Sequence, residues 1–88
     1  MKQHSHVIIG IHISDRVKRA AAVQKVFTQF GANIKTRIGL HDVTESASSP
    51  RGIIILEMVG NERQCLTILK KLAAIPGVEA KKMVFSHD

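Results

Sequence analysis

The chain has no tryptophan and no tyrosine, one cysteine, two prolines and three phenylalanines in 88 residues. Each scarcity removes a possibility. The lone thiol of Cys65 can form no intramolecular disulfide, and a single cysteine fits a reducing cytoplasm. An RNA-recognition motif stacks bases on aromatic residues of its central strands, whereas Phe27, Phe30 and Phe85 fall on a predicted helix and on the last strand. A copper-chaperone-like domain holds a soft cation with a Cys-x-x-Cys pair in its first loop; here that loop reads Ile13-Ser-Asp-Arg-Val17. The same loop lacks the glycine-rich anion cradle of an acylphosphatase-like site, and the glycine that an amino-acid-binding ACT domain usually places at that junction. No apolar run reaches the ~18 residues that a membrane span requires. Residues 1–6 pass into a strand-like segment without a small-residue cleavage site, so no signal peptide is expected.

What is present suits one small domain. Hydrophobic residues make up 44% of the chain, enough for a core at this length, although small domains often gain further stability by oligomerising. The formal charge of +6 could attract nucleic acid, an anionic metabolite or an acidic protein. Arg16, Lys18, Arg19, Lys25, Lys35, Arg37, Arg63, Lys70, Lys71, Lys81 and Lys82 are spread over both predicted helices and the second and fourth predicted strands and form no single run. A solvated surface is the expected reading, and nucleic acid is not an expected partner.

Residues 7–13, Val-Ile-Ile-Gly-Ile-His-Ile, are β-branched and nearly all apolar, as in a central strand buried on both faces. Ser14 and Asp15 offer capping oxygens to a helix over about 15–30, whose stripe is Ala20, Val23, Phe27 and Phe30, widened by Val26. Gly31 is expected to close that helix in a left-handed conformation. From residue 33 the period becomes two: Ile34, Thr36, Ile38 and Leu40 point one way, Lys35, Arg37, Gly39 and His41 the other. Residues 44–50 are polar and turn-rich, a hairpin connection. Strand 3 is Ile53-Ile-Ile-Leu-Glu-Met-Val59. Gly60-Asn61 caps a second helix reaching about Ile75, with the stripe Cys65, Ile68, Leu69, Leu72 and Ile75, and Pro76-Gly77 ends it. Strand 4 is Val78–Phe85, with a fraying tail.

The order βαββαβ predicts an α+β, ferredoxin-like sandwich: a four-stranded antiparallel sheet with two helices on one face. Strands 1 and 3 should be the central pair. The other face stays uncovered in a monomer and should carry His6, Ile8, Gly10 and His12 of strand 1, and Lys35, Arg37, Gly39 and His41 of strand 2. An apolar face with a polar rim marks an association surface, so a homo-oligomer, dimer or tetramer, is expected.

The chemistry-bearing residues form no familiar constellation. Five histidines (4, 6, 12, 41 and 87) and Cys65 show no compact metal-ligand spacing. Cys65 lies on a core stripe and reads as a buried small hydrophobe. Glu57, inside an apolar strand, needs solvent or a partner such as Arg37 or a lysine. No nucleophile, base and orienting group fall together, so no enzyme is expected. The alternatives are a small dimeric enzyme using the open face around His12 and Glu57, or a basic nucleic-acid-binding domain.

Arg37-Ile-Gly-Leu40, Gly52-Ile-Ile-Ile-Leu56 and Leu72-Ala-Ala-Ile-Pro-Gly-Val78 resemble the bacterial family of iron-only hydrogenase system regulators, over nearly the whole chain. That family is similar in fold to ACT domains and to the C-terminal, metal-sensing and tetramerising domain of the nickel-responsive repressor. The resemblance implies a ferredoxin-like oligomer with a regulatory role, sensing a small molecule or a metal, without the repressor's N-terminal DNA-binding segment. The repressor's metal domain uses histidines and a cysteine on strands 2 and 3. His41 corresponds in kind, but strand 3 here has neither residue, so no metal ligand and no cofactor is assigned. A ligand site is expected at a subunit boundary, near the strand 1–helix 1 junction (Ser14, Asp15, Arg16) or beside Arg37, Gly39 and His41.

Overall fold

The computed structural model describes residues 4–40 and 52–87. Strand β1 (His4–Ile13) leads into α1 (Arg16–Gln29), a single 3-10 turn (Gly31–Asn33), β2 (Ile34–Leu40), β3 (Gly52–Met58), α2 (Glu62–Ala73) and β4 (Val78–His87). The strands form one antiparallel sheet in the order β2-β3-β1-β4, with β1 and β3 central. Val7, Ile9, Ile11 and Ile13 of β1 and Leu56 and Met58 of β3 are buried in one cluster with residues of both helices. These are Val23, Val26 and Phe27 of α1 and Cys65, Ile68 and Leu72 of α2. Both helices therefore cover the same side of the sheet, and the ferredoxin-like α+β arrangement expected from the sequence is the one observed.

Local chemistry sets the helix ends. The Asp15 carboxylate accepts from the Lys18 N–H at 3.2 Å, capping α1. At α2, Asn61 and Gln64 form a reciprocal capping box, and Glu62 at the start and Lys70 and Lys71 at the end complement the helix dipole. Asn33 clasps this corner: its Nδ2 donates to the Val59 carbonyl at 3.2 Å and to Gln64 Oε1 at 3.1 Å. Two sequence expectations are corrected. Gly31 is not left-handed, since positive φ occurs only at Gly60 and Gly77 among the described residues. Phe30 ends α1, and the 3-10 turn, with Asn33 N–H on the Phe30 carbonyl at 2.8 Å, turns the chain instead. Residues 86 and 87 continue β4, because β1 starts as early as His4 and supplies them with a ladder.

The largest difference concerns β2. Ile34 pairs with Met58, but Thr36 pairs with Glu57, so Lys35 is an extra residue in a β-bulge. Side chains alternate with a period of two, so one inserted residue exchanges the faces of all that follows. Thr36, Ile38 and Leu40 stand opposite Glu57, Ile55 and Ile53 on the open face. Arg37 and Gly39 stand opposite Leu56 and Ile54, toward the helices, where the sequence pattern had placed them on the open side. His41, Asp42, Glu45 and the connection 44–50 lie outside the described residues.

Candidate functional site

The bulge has a direct consequence for Arg37. Turned toward α1, its guanidinium lies over the Phe27 ring, 5.2 Å from the centroid, and Nη1 donates to Gln24 Oε1 at 3.4 Å. These residues form one wall of a half-open groove of about 410 Å³ between α1, the edge strand β2 and the start of β3. Ile13, Ala20, Val23 and Ile54 make its apolar floor, and Gly39 leaves its rim low. A Cβ built on Gly39 would have nothing within 4 Å, so the space beside it is open. A cavity of this size, mostly apolar with a few polar groups on one side, has the form of a small-molecule site. Arg37 and Gly39 of the sequence-derived candidates therefore come together. Gln24 and Phe27 join them; the helical pattern marked Phe27 as core, and nothing in the sequence signalled Gln24.

The second candidate cluster is occupied with local structure. Asp15 caps α1, and the Ser14 N–H donates to the Gly77 carbonyl at 2.8 Å, tying the β1–α1 corner to the turn before β4. Arg16 is the first residue of α1. Arg19, which the sequence did not single out, packs over Gly77; its Nε is shielded from solvent and has no hydrogen-bond partner among the described residues.

On the open face, the Thr36 hydroxyl donates to Glu57 Oε1 at 2.9 Å, and His6 Nε2 lies 3.3 Å from Glu57 Oε2. Arg37, on the other side of the sheet, is not the partner that the sequence offered for this carboxylate. The Thr36 hydrogen bond, followed by the charge of Lys35 and the contacts with His6, holds the Glu57 carboxyl below its ordinary value; partial loss of water acts the other way. A carboxylate depressed in the folded state stabilises the fold above the ordinary carboxylate range. That stabilisation disappears as pH falls through the depressed value. Thr36→Val is therefore expected to raise the Glu57 titration midpoint, read by NMR of its carboxyl carbon, and to make acid unfolding begin at higher pH. His12 lies opposite Ile53, whereas Glu57 lies opposite Ile8. Four registers, about 13 Å along the strands, separate the two groups of the enzymatic alternative. No three His, Cys, Asp or Glu side chains converge as metal ligands among the described residues. Burial, and secondarily the Glu62 charge, pushes the Cys65 thiol up and keeps it protonated in the core. No helix among the described residues is long and apolar enough to cross a membrane.

No family model and no curated protein matches this sequence. Solved structures share its fold. An uncharacterized protein of Thermotoga maritima aligns with a TM-score of 0.78 at 23% identity, over 93% of this chain and 99% of that one. A PII-like signaling protein of Thermus thermophilus aligns at 0.64 and 12%, over 99% of this chain and 93% of that one. The CPII protein of Thiomonas intermedia, solved with ADP, AMP and acetate, aligns at 0.57 and 9%, over 100% of this chain and 93% of that one. At these identities the likeness establishes a common ferredoxin-like fold.

Proposed function

We propose that the chain is a non-enzymatic regulatory module of the cytoplasm that works as a homo-oligomer and binds a small anionic effector in the groove between α1 and β2. The observation that carries this reading is Arg37, which the bulge turns from the open face into an apolar groove beside Gln24 and Phe27. A guanidinium with remaining donors above an apolar floor binds carboxylate or phosphate groups while the floor takes the rest of the ligand. Gly39 supports the reading, because any side chain there would enter the space. One of the fold's other carriers is a PII-like signaling protein, and another, CPII, holds ADP, AMP and acetate, anions of the classes that such a groove would admit. The resemblance to iron-only hydrogenase system regulators gives the same reading a finer form, a sensor in the control of that enzyme system.

The test is a thermal-shift and calorimetric titration with ADP, AMP and acetate in turn. A ligand at a hundredfold excess over its Kd should stabilise the fold by about 2.7 kcal/mol. Arg37→Ala should abolish the shift by removing the charge, and Gly39→Leu by filling the groove. No response to any of the three anions, or a response that survives both substitutions, would remove the groove from consideration.

A further inference from the structure

The open side of the sheet carries most of the exposed large apolar side chains of the described residues: Ile38 (50% exposed), Leu40 (48%), Ile53 (42%), Met83 (56%) and Phe85 (53%). Register places them on one surface. Ile38 and Leu40 of β2 face Ile55 and Ile53 of β3, while Met83 and Phe85 of β4 lie beside Ile8 and His6 of β1. At the centre is Gly10, paired with Ile55 on one side and Lys81 on the other. Glycine weakens a central strand, and nothing inside this monomer calls for it. Its φ is not positive, and the nearest atom to an added Cβ would be Ile55 Cδ1 at an ordinary 4.0 Å. Glycine at such a position marks the close approach of something from outside the sheet.

We infer that a second copy of this chain covers the open face, with Gly10 at the point of closest approach. The inference rests on the homo-oligomer reading above and assigns its surface. Charge selects the partner. Of thirteen Lys and Arg in a chain of net charge +6, the described open face holds Lys81, with Lys35 at its bulged edge, against the two carboxylates Glu57 and Glu79. Nucleic acid or an acidic protein is drawn to the cationic helices rather than to this near-neutral apolar surface, whereas an identical face meets it without repulsion. The size is of the right order. Four strands of about seven residues give a flat footprint on the order of 450 Å² before side-chain relief and the longer β1 and β4 are counted. A stable dimer covers roughly 800 Å² of accessible surface per partner. The face is also self-complementary in relief. A hollow of about 300 Å³ lies over Gly10, His12, Ile53, Glu79 and Lys81, and Met83 projects one open-face position beyond Lys81 on β4. A twofold axis in the plane between two such faces seats each Met83 in the hollow of the other copy.

Sedimentation equilibrium of the full chain tests this assignment with two variants and a control. Gly10→Thr fills the hollow with a residue that suits a strand, and Ile53→Lys sets a charge on an already exposed position; Lys18→Glu alters the helical side only. The wild type should be dimeric or larger at tens of micromolar. Both open-face variants should weaken association by about tenfold or more, and Lys18→Glu should leave it unchanged. Thermal melts at high dilution, where Gly10→Thr should be no less stable than the wild type, separate lost association from lost folding. A wild-type oligomer indifferent to both open-face substitutions would overturn the face assignment and leave the homo-oligomer reading standing, with the contact at a strand edge. A wild-type monomer throughout would overturn both.

Discussion

Leu56→Ala is expected to cost about 3 kcal/mol in urea unfolding and to lower the midpoint of thermal unfolding by roughly 12–24 °C. Leu56 is 0% exposed, lies in central strand β3 between Ile9 and Arg37, and belongs to the cluster sealed by both helices. Its truncation loses transfer free energy and leaves a void that close-packed neighbours fill only in part. A domain of this size holds roughly 4–13 kcal/mol in all, so a large share of the stability rides on one side chain. The same strand supplies the control. Ile53→Ala, on the open face, should cost less than about 1 kcal/mol in dilute monomer. Equal costs at the two positions would mean that the helices cover the other side of β3.

Gly60→Ala is expected to cost about 2–4 kcal/mol without touching the core. Gly60 has φ +106°, and an added Cβ would lie 2.5 Å from Asn33 Nδ2 and 2.8 Å from Gln64 Oε1. The backbone penalty for an L side chain there is of order 1–2 kcal/mol. Displacing the Asn33–Gln64 clasp forfeits hydrogen bonds worth about 1 kcal/mol each. A double-mutant cycle separates the two parts. With Asn33→Ala already in place the closer of the two clashes is gone, and the remaining cost of Gly60→Ala should fall by about half. A cost below about 0.5 kcal/mol in the single variant would show that the clasp yields freely.

The order of elements and the central pair of strands were readable from apolar runs, and most of the core stripes from helical spacing, although Ala20, placed on the stripe of α1, is exposed. Val7, Ile9, Ile11 and Ile13 alternate without interruption, and Cys65, Ile68 and Leu72 repeat at helical spacing; all seven are buried. The orientation of β2 was not readable, because the segment Ile34–Leu40 contains a phase break at Lys35 that no composition signal announces. Ile34 and Thr36 look alike to a two-residue period, yet they occupy opposite faces. That single residue decides which side of the sheet Arg37 and Gly39 face: they border the groove beneath α1, opposite to the side that the two-residue pattern gave them. Thr36 and His6 as partners of Glu57 were equally hidden, since both pairings depend on register across strands. Gly31 misled for a different reason. A glycine after a helix permits a left-handed closure without requiring one, and a 3-10 turn took its place.

The strand order also sets a timetable for synthesis. β1 is the first element of this domain to be synthesised, yet both of its sheet neighbours, β3 and β4, come later in the chain. About forty residues pass before β3 begins, roughly 2–8 s at ordinary translation rates, and β4 follows later still. Throughout that interval a central strand that supplies Val7, Ile9, Ile11 and Ile13 to the core has neither ladder partner in place. Nascent chains arrested before β4 should therefore hold chaperones and resist release, while chains extended past His87 should shed them as β1 gains its second neighbour.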